Sequence, residues 1–237
     1  MNRIEATAYH EGGHALVTWL LPGSNPVHKV TVIPRGRALG LTSTLPSEER
    51  HNESREQLIN YITSAMGGRA AEKIVFDQLN TGAAQDIERA TSLARKMVCE
   101  WGMSEKLGSL TFGKKEEMVF LGREIATHKD YSDRTAETID EEVSAIVDGC
   151  YQKALELLRG NEDKLHLLAR TLMEREILDG EEMNRLLRGE ALGPPKGEGA
   201  PGEAGAKTAP EGATAEEARP GVDPVTGKGP KQLDAFA

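Results

Sequence analysis

The chain has 237 residues, of which 38 are acidic and 29 are basic, so its formal net charge is −9 at pH 7. An acidic chain with no stripe of lysines and arginines interleaved with aromatic residues is poorly suited to binding nucleic acid, and we expect no nucleic-acid partner. The sequence has no apolar run of the length that spans a membrane, about eighteen residues or more, so we expect this chain to be soluble.

The first chemical feature along the chain is the pattern His-Glu-x-x-His at residues 10–14. If this stretch is helical, side chains four positions apart lie on one face, about one turn from each other. His10 and His14 can then offer two imidazole nitrogens to one zinc ion, while Glu11 lies beside the metal and can take a proton from water there. This pattern is typical of zinc peptidases.

The residues around the motif predict a helix. Apolar residues recur at helical spacing from Ile4 to Leu21, and Pro22 ends the pattern. Gly12 and Gly13 lie inside this helix, although each glycine costs about 1 kcal/mol relative to alanine. We therefore expect the backbone here to approach another segment or a ligand closely.

Two short strands are predicted directly after this helix. Residues 28–33 alternate polar and apolar side chains and stop at Pro34, and residues 39–45 form a second predicted strand that stops at Pro46. Together they indicate a small β-sheet near the active site. An edge strand of that sheet could hold an extended peptide through main-chain hydrogen bonds, or the two strands could simply cover the core.

Most of the remaining chain has helical periodicity. A helical stretch over residues 54–76 is interrupted at Gly67 and Gly68. From residue 132 onwards apolar residues recur at three- and four-residue steps, as in the core of a C-terminal helical bundle. We therefore expect a mainly α domain over residues 1–188.

The composition changes at residues 189–237. This segment contains seven of the eleven prolines and ten of the twenty-five glycines, mixed with Ala, Glu, Lys and Thr and with few bulky apolar residues. Such a segment cannot bury enough apolar surface to offset the entropy lost on ordering it. We expect it to be a disordered tail.

Two histidines leave a catalytic zinc ion one protein ligand short, since such sites take three protein ligands and keep a fourth position open. Asp86 is one candidate, in the first turn of a predicted helix, where the helix dipole alone would also favour an acid. Glu72 is the other candidate, on the helix after the glycine interruption. It could bind the metal, hold a ligand histidine by its other ring nitrogen, or be an ordinary surface charge. The residue pattern favours neither carboxylate.

Four segments in this order closely resemble the peptidase domain of the FtsH family, the membrane-anchored AAA metalloproteases: residues 10–14, 67–72, 81–91 and 101–108. The likeness extends over residues 3–188. It implies that Asp86, in the Thr-Gly-Ala-x-x-Asp stretch, completes a zinc site with His10 and His14, and that Glu11 is the catalytic base. The chain departs from the family at Gly12, where alanine is usual, which affects helix stability and not the ligands.

The resemblance also implies a zinc endopeptidase with one zinc ion per chain, acting on unfolded or membrane-extracted polypeptides. It would be the proteolytic part of an ATP-dependent, homohexameric quality-control protease on the cytoplasmic face of the inner membrane. Its partner would be the AAA ATPase domain of the same full-length chain. No Gly-x-x-x-x-Gly-Lys-Ser/Thr segment occurs here, so we expect ATP to act only through that missing upstream domain.

A function of another class fits the helical stripes and the acidic charge equally well. The chain would then be a ring-assembly module, with the C-terminal helices at the subunit interface and a structural zinc site. Sedimentation measured beside peptidase activity separates the two hypotheses.

Overall fold

The computed structural model describes residues 2–34, 39–45, 52–113 and 131–194. The helices are α1 (Arg3–Leu20), α2 (Arg55–Ala65), α3 (Gly67–Phe76), α4 (Ala84–Cys99), α5 (Asp133–Arg159), α6 (Glu162–Arg175) and α7 (Gly180–Leu187), and the strands are β1 (Val27–Thr31), β2 (Leu41–Thr44) and β3 (Ile177–Asp179). The predicted mainly α class with a small sheet is confirmed. Within the described ranges, no helix combines the length and apolar character needed to cross a membrane.

Helix α1 is the central element of the core. Asn2 caps its N-terminus, because the side-chain oxygen accepts a hydrogen bond from the backbone N–H of Ile4 at 3.2 Å. Helix α3 packs on one side of α1 and α6 on another. The apolar residues of α1 that are fully buried in these contacts are Ala8, Ala15, Leu16 and Val17. The motif histidines are therefore carried on a helix that other elements enclose on more than one side.

The two glycines of α1 have different surroundings. A Cβ atom on Gly13 would collide with the backbone carbonyl oxygen of Gly67, so α1 and α3 are in backbone contact at this point. A Cβ atom on Gly12 would meet side-chain atoms of Leu165 and Leu168 at 3.8 Å, which is ordinary van der Waals contact. The predicted close approach is thus confirmed at Gly13. It is wrong at Gly12, whose described neighbours leave room for a methyl group.

The three strands form one antiparallel sheet in the order β2-β1-β3. In the central strand, Val30 lies opposite Thr42 on one side and opposite Leu178 on the other. Val30 and Leu178 are fully buried, so one face of the sheet closes the core. Strand β2 lies at an edge of the described sheet, beside α1, as the sequence predicts.

Strand β3 lies in a segment predicted to be helical, and that prediction is wrong. Glu176 has a left-handed backbone with φ of 63°, which ends α6, and its carbonyl oxygen accepts a hydrogen bond from Val32 at 3.0 Å. The chain then pairs with β1 over three residues. So short a strand is specified by its tertiary partner, because it is too short to establish a period-two pattern of its own.

The interruption predicted at Gly67 and Gly68 is confirmed as the boundary between α2 and α3. Ser54 and Gln57 form a capping box that starts α2, in which each side chain bonds the other residue's backbone N–H. Helix α5 packs against α2, α3 and α4, and α6 packs against α1. The C-terminal helices therefore cover the helices that carry the motif residues.

Residues 189–194, which composition assigns to the tail, contact the last two helices. Arg175 donates a hydrogen bond to the carbonyl of Gly193 at 2.6 Å, and Arg185 donates one to the carbonyl of Ala191 at 2.7 Å. Leu192 is partly buried against the core. The rest of the predicted tail, residues 195–237, lies outside the described residues.

Candidate active site

Helix α1 presents both motif histidines to one cleft. His10 and His14 are one turn apart, and their rings meet edge to face with centroids 4.7 Å apart and an interplanar angle of 83°. Their Nε2 atoms are 3.1 Å apart. The i, i+4 spacing of the sequence thus brings two imidazole nitrogens to one point.

A carboxylate from a different helix reaches the same point. Asp86 lies in the first turn of α4, after a short 3₁₀ turn at Thr81–Ala83. Its Oδ2 atom is 3.2 Å from Nε2 of His10 and 3.3 Å from Nε2 of His14. The three side chains are each partly exposed to the cleft, and their facing atoms form a group with the spacing of metal ligands.

The hydrogen bonds that each ring makes at Nδ1 decide its tautomer, and so decide whether Nε2, which faces Asp86, has a free lone pair. Nδ1 of His10 is 2.8 Å from Oε1 of Glu72, and Nδ1 of His14 is 2.8 Å from the carbonyl oxygen of Ser64. Both partners only accept, so each Nδ1 carries the proton. The backbone N–H of Gly68 also points to Nδ1 of His14, at 3.3 Å, but a protonated nitrogen cannot accept it, and the shorter contact to Ser64 prevails. Both Nε2 atoms are therefore free to bind a metal.

The separations among these atoms test whether a metal ion fits. A tetrahedral zinc ion with bonds of about 2.0–2.1 Å holds its nitrogen and oxygen ligands about 3.3–3.4 Å apart. The separations found here, 3.1 to 3.3 Å, are close to that value. With both Nε2 atoms unprotonated, two lone pairs and a carboxylate this close would repel one another, so the site takes up either a proton or a metal cation. The residues fit a zinc-sized cation.

The protonation equilibria reflect the same negative surroundings. Burial disfavours the charged form of His10, but hydrogen bonds to the carboxylates of Asp86 and Glu72 outweigh it and raise the pKa of His10 to about 10. Burial also raises the pKa of Asp86, yet the hydrogen bonds from His10 and His14 hold that pKa well below its usual range. The site thus attracts positive charge, and a metal cation can take the place of the proton.

Glu72, the alternative third ligand, lies behind the first histidine rather than beside Asp86. Its side chain is buried on α3, and Oε1 accepts the hydrogen bond from Nδ1 of His10. Its second oxygen accepts a hydrogen bond from the side-chain amide of Asn80 at 3.3 Å. Both oxygens are occupied, so the geometry suits Glu72 to orienting His10 and raising its basicity as a ligand.

Glu11 faces the same cleft and is anchored by strand β2. Only 8% of Glu11 is exposed, and its Oε2 atom accepts a hydrogen bond from the hydroxyl of Thr42 at 2.7 Å. The backbone of Gly40 lies directly against its side chain, because a Cβ atom on Gly40 would be 2.7 Å from Cγ of Glu11. The carboxylate of Glu11 is therefore held against the sheet, which lies beside the site as predicted.

The cleft around these residues is lined by several elements of the fold. Strand β2 forms one wall with Leu41 and Thr42, α2 contributes Tyr61, and α4 contributes Arg89 and Leu93. Leu41 is 43% exposed and Tyr61 is 55% exposed, so apolar surface faces the solvent beside the histidine pair. The cleft thus offers apolar contacts next to the candidate metal ligands.

Comparison with known proteins places the chain in a family. The sequence model of peptidase family M41 matches residues 2–186. The chain belongs to peptidase family M41. The ATP-dependent zinc metalloprotease FtsH of Magnetococcus marinus is 54% identical over 186 residues, which are 78% of this chain and 28% of that protein. The protein of the same name from Myxococcus xanthus is 53% identical over 186 residues, covering 78% of this chain and 29% of the relative. The M41 chain spans less than a third of the length of these relatives.

Three residues of this M41 site are not predicted from the sequence. Ser64 acts through its backbone carbonyl, Thr42 is one of several hydroxyl residues in a short strand, and Gly68 allows close contact with both rings. A Cβ atom on Gly68 would lie 2.6 Å from Cε1 of His10. Of the three, only Gly68 belongs to a feature that the sequence predicts, the interruption at Gly67 and Gly68, and that feature does not point to the histidine rings.

Proposed function

We propose that this M41 chain is a zinc-dependent endopeptidase whose metal is held by His10, His14 and Asp86. The observation that supports this most directly is the convergence of the two Nε2 atoms and one carboxylate oxygen within 3.1 to 3.3 Å of each other. The names of the M41 relatives, which describe zinc metalloproteases, support the choice of zinc.

The chain's own residues would divide the work of peptide hydrolysis. Bound zinc supplies a Lewis acid that polarises the scissile carbonyl and makes water a stronger acid. Glu11 accepts the proton of the attacking water and later donates it to the nitrogen of the leaving amine. Glu72 keeps His10 in the tautomer whose Nε2 is free, and the Ser64 carbonyl does the same for His14.

The cleft supports an extended polypeptide as the substrate. Strand β2 is an edge of the described sheet and lines the cleft next to Glu11, so its free main-chain groups can pair with a substrate strand. Main-chain pairing grips any sequence, and the exposed Leu41 and Tyr61 offer apolar contact to side chains that folded proteins bury. Unfolded or membrane-extracted polypeptides meet both requirements.

The wider assembly belongs to the same proposal. The relatives are named as ATP-dependent proteases and are more than three times as long as the region they share with this chain. We infer that an AAA ATPase domain of the same full-length chain delivers substrate to the cleft. We also infer a homohexamer at the cytoplasmic face of the inner membrane, as the family resemblance implies.

Metal content and cleavage of unfolded casein, measured together on four proteins, test the site. Asp86→Ala should lose both zinc and cleavage, because a ligand is removed. Glu11→Gln should keep zinc and lose cleavage, because only the base is removed. Glu72→Ala should retain some zinc with lowered affinity.

Each failure of this test has a separate meaning. If Glu72→Ala loses the metal while Asp86→Ala keeps it, the ligand assignment is wrong. If Glu11→Gln cleaves casein at nearly the wild-type rate, the base assignment is wrong. A wild-type protein that holds zinc and sediments as a ring without cleaving casein would support the assembly module instead.

A further inference from the structure

The hydroxyl of Thr42 makes an unusual contact for a strand residue, because it bonds a carboxylate of the candidate active site. Its Oγ1 atom lies 2.7 Å from Oε2 of Glu11 and 3.1 Å from the backbone carbonyl oxygen of Glu11. A hydroxyl has only one proton to donate, and the shorter of the two contacts is the one to the carboxylate oxygen Oε2. That distance is typical of a charge-assisted O–H···O⁻ hydrogen bond.

The hydrogen bond leaves the two oxygens of Glu11 in different environments. Oε2 accepts a hydrogen bond from Thr42, whereas no described residue donates one to Oε1. The Glu11 side chain lines the cleft beside His10 and His14. One oxygen is thus fixed by the protein, and the other remains available for a proton transfer.

The backbone of the strand reinforces this arrangement. Gly40 lies so close to Glu11 that a Cβ atom would come within 2.7 Å of its Cγ and within 2.8 Å of the carbonyl oxygen of Thr31. The pairing of Thr42 with Val30 then fixes the position of the hydroxyl relative to α1. The contact therefore depends on sheet register, and β2 approaches the site closely enough to limit where the Glu11 side chain can lie.

We propose that Thr42 is a positioning residue that holds the carboxylate of Glu11 in the orientation needed to accept a proton. This inference rests on the proposed peptidase function. It gives β2 a second task besides pairing with substrate, because a strand that grips the substrate backbone also aligns the base. Packing against Gly40 confines the side chain, but the terminal torsion of a glutamate has a broad energy minimum, so without this bond the carboxylate oxygens would turn away from the required direction more often.

Kinetics with an internally quenched, unstructured peptide test the proposal on the zinc-loaded chain. Thr42→Val keeps the branched shape and removes the hydroxyl, and it should lower kcat on the order of 10- to 100-fold, with KM and zinc content unchanged. Thr42→Ser retains the hydroxyl and should stay within about threefold of wild type. Ser43→Ala is the matched control, because Ser43 lies on the same strand and its hydroxyl contacts the carbonyl of Lys29 instead, at 3.4 Å.

Three results would overturn the proposal. The first is Thr42→Val with kcat within about threefold of wild type. The second is Thr42→Val with raised KM and unchanged kcat, which would place the hydroxyl on the substrate. The third is loss of zinc or of folding in Thr42→Val, which would make the hydroxyl structural.

Binding of a peptide hydroxamate, measured by calorimetry, gives a readout that does not need turnover. A hydroxamate reports the metal and the neighbouring base together, so Thr42→Val should weaken its binding in the wild-type background and have no further effect in a Glu11→Ala background. Equal weakening in both backgrounds would show that Thr42 does not act through Glu11. If the wild-type chain binds the hydroxamate but cleaves no peptide, the proposed function fails while the role of Thr42 is still decided.

Discussion

Replacing Gly13 by alanine should destabilise the domain, because α1 and α3 touch through their backbones there. The added methyl group would collide with the carbonyl oxygen of Gly67 and come within 2.7 Å of Cβ of Ala71. Overpacking a core costs about 1–3 kcal/mol, and a backbone obstacle that cannot rotate away favours the upper end. Alanine recovers about 1 kcal/mol of helix propensity. The net loss of unfolding free energy is then about 2 kcal/mol.

Gly12→Ala is the matched control, one position away on the same helix. Its methyl group would make 3.8 Å contacts with Leu165 and Leu168, so the propensity gain of about 1 kcal/mol remains. In a domain of this size, 1 kcal/mol corresponds to about 2–4 °C in Tm. We expect Tm to fall by about 4–8 °C in Gly13→Ala and to rise by about 2–4 °C in Gly12→Ala.

Thermal unfolding followed by far-UV circular dichroism in EDTA measures this difference without a contribution from metal binding. Opposite shifts at the two neighbouring positions are the diagnostic result. If Gly13→Ala unfolds at or above the wild-type temperature, the backbone contact does not limit how closely α1 and α3 pack. If both variants lose stability equally, the room inferred beside Gly12 is wrong.

Three further predictions concern the metal site and the domain boundary. Gly68→Ala should lower zinc affinity at least about tenfold in a chelator competition, since its methyl group would occupy space taken by both imidazole rings; unchanged affinity would contradict that packing. Glu72→Gln should lower zinc affinity about 10- to 100-fold, because a neutral acceptor replaces the charged one behind His10, and an affinity equal to wild type would show that the charge is unimportant. Truncation after Arg188 should cost about 1–2 kcal/mol in urea unfolding, through lost hydrogen bonds and lost burial of Leu192. Truncation after Pro194 should cost nothing, and equal stability of the two truncated forms would show that residues 189–194 contribute nothing.

Features that depend on local periodicity were predictable from the sequence. The helix around the motif, its end before Pro22 and the break at Gly67 follow from apolar spacing and from the backbone preferences of proline and glycine. The pairing of two ligands on one face is also local, because a helix places residues four apart next to each other. Strand β3 was missed for the opposite reason, since its three residues are extended only because they meet β1.

The choice between the two candidate carboxylates shows where local information ends. Asp86 and Glu72 are both acids on helices distant in sequence from the motif, and nothing in either segment tells which ring nitrogen it will meet. Helix α3 packs against α1 and places Glu72 at Nδ1 of His10, whereas α4, which packs against α2 and α5, brings Asp86 beside both Nε2 atoms. Family resemblance favoured Asp86, and the geometry offers a physical reason for that preference.

The helical period alone places the imidazoles of His10 and His14 on one face of one helix, with Glu11 next to the first of them along the chain. The groups that surround them are set by tertiary packing: the carboxylate of Asp86, the carbonyl of Ser64 and the hydroxyl of Thr42. These partners come from three elements that are separated along the chain, so their directions depend on helix crossings and strand register. Backbone contacts such as the one at Gly13 set those crossings, and a linear pattern does not encode them.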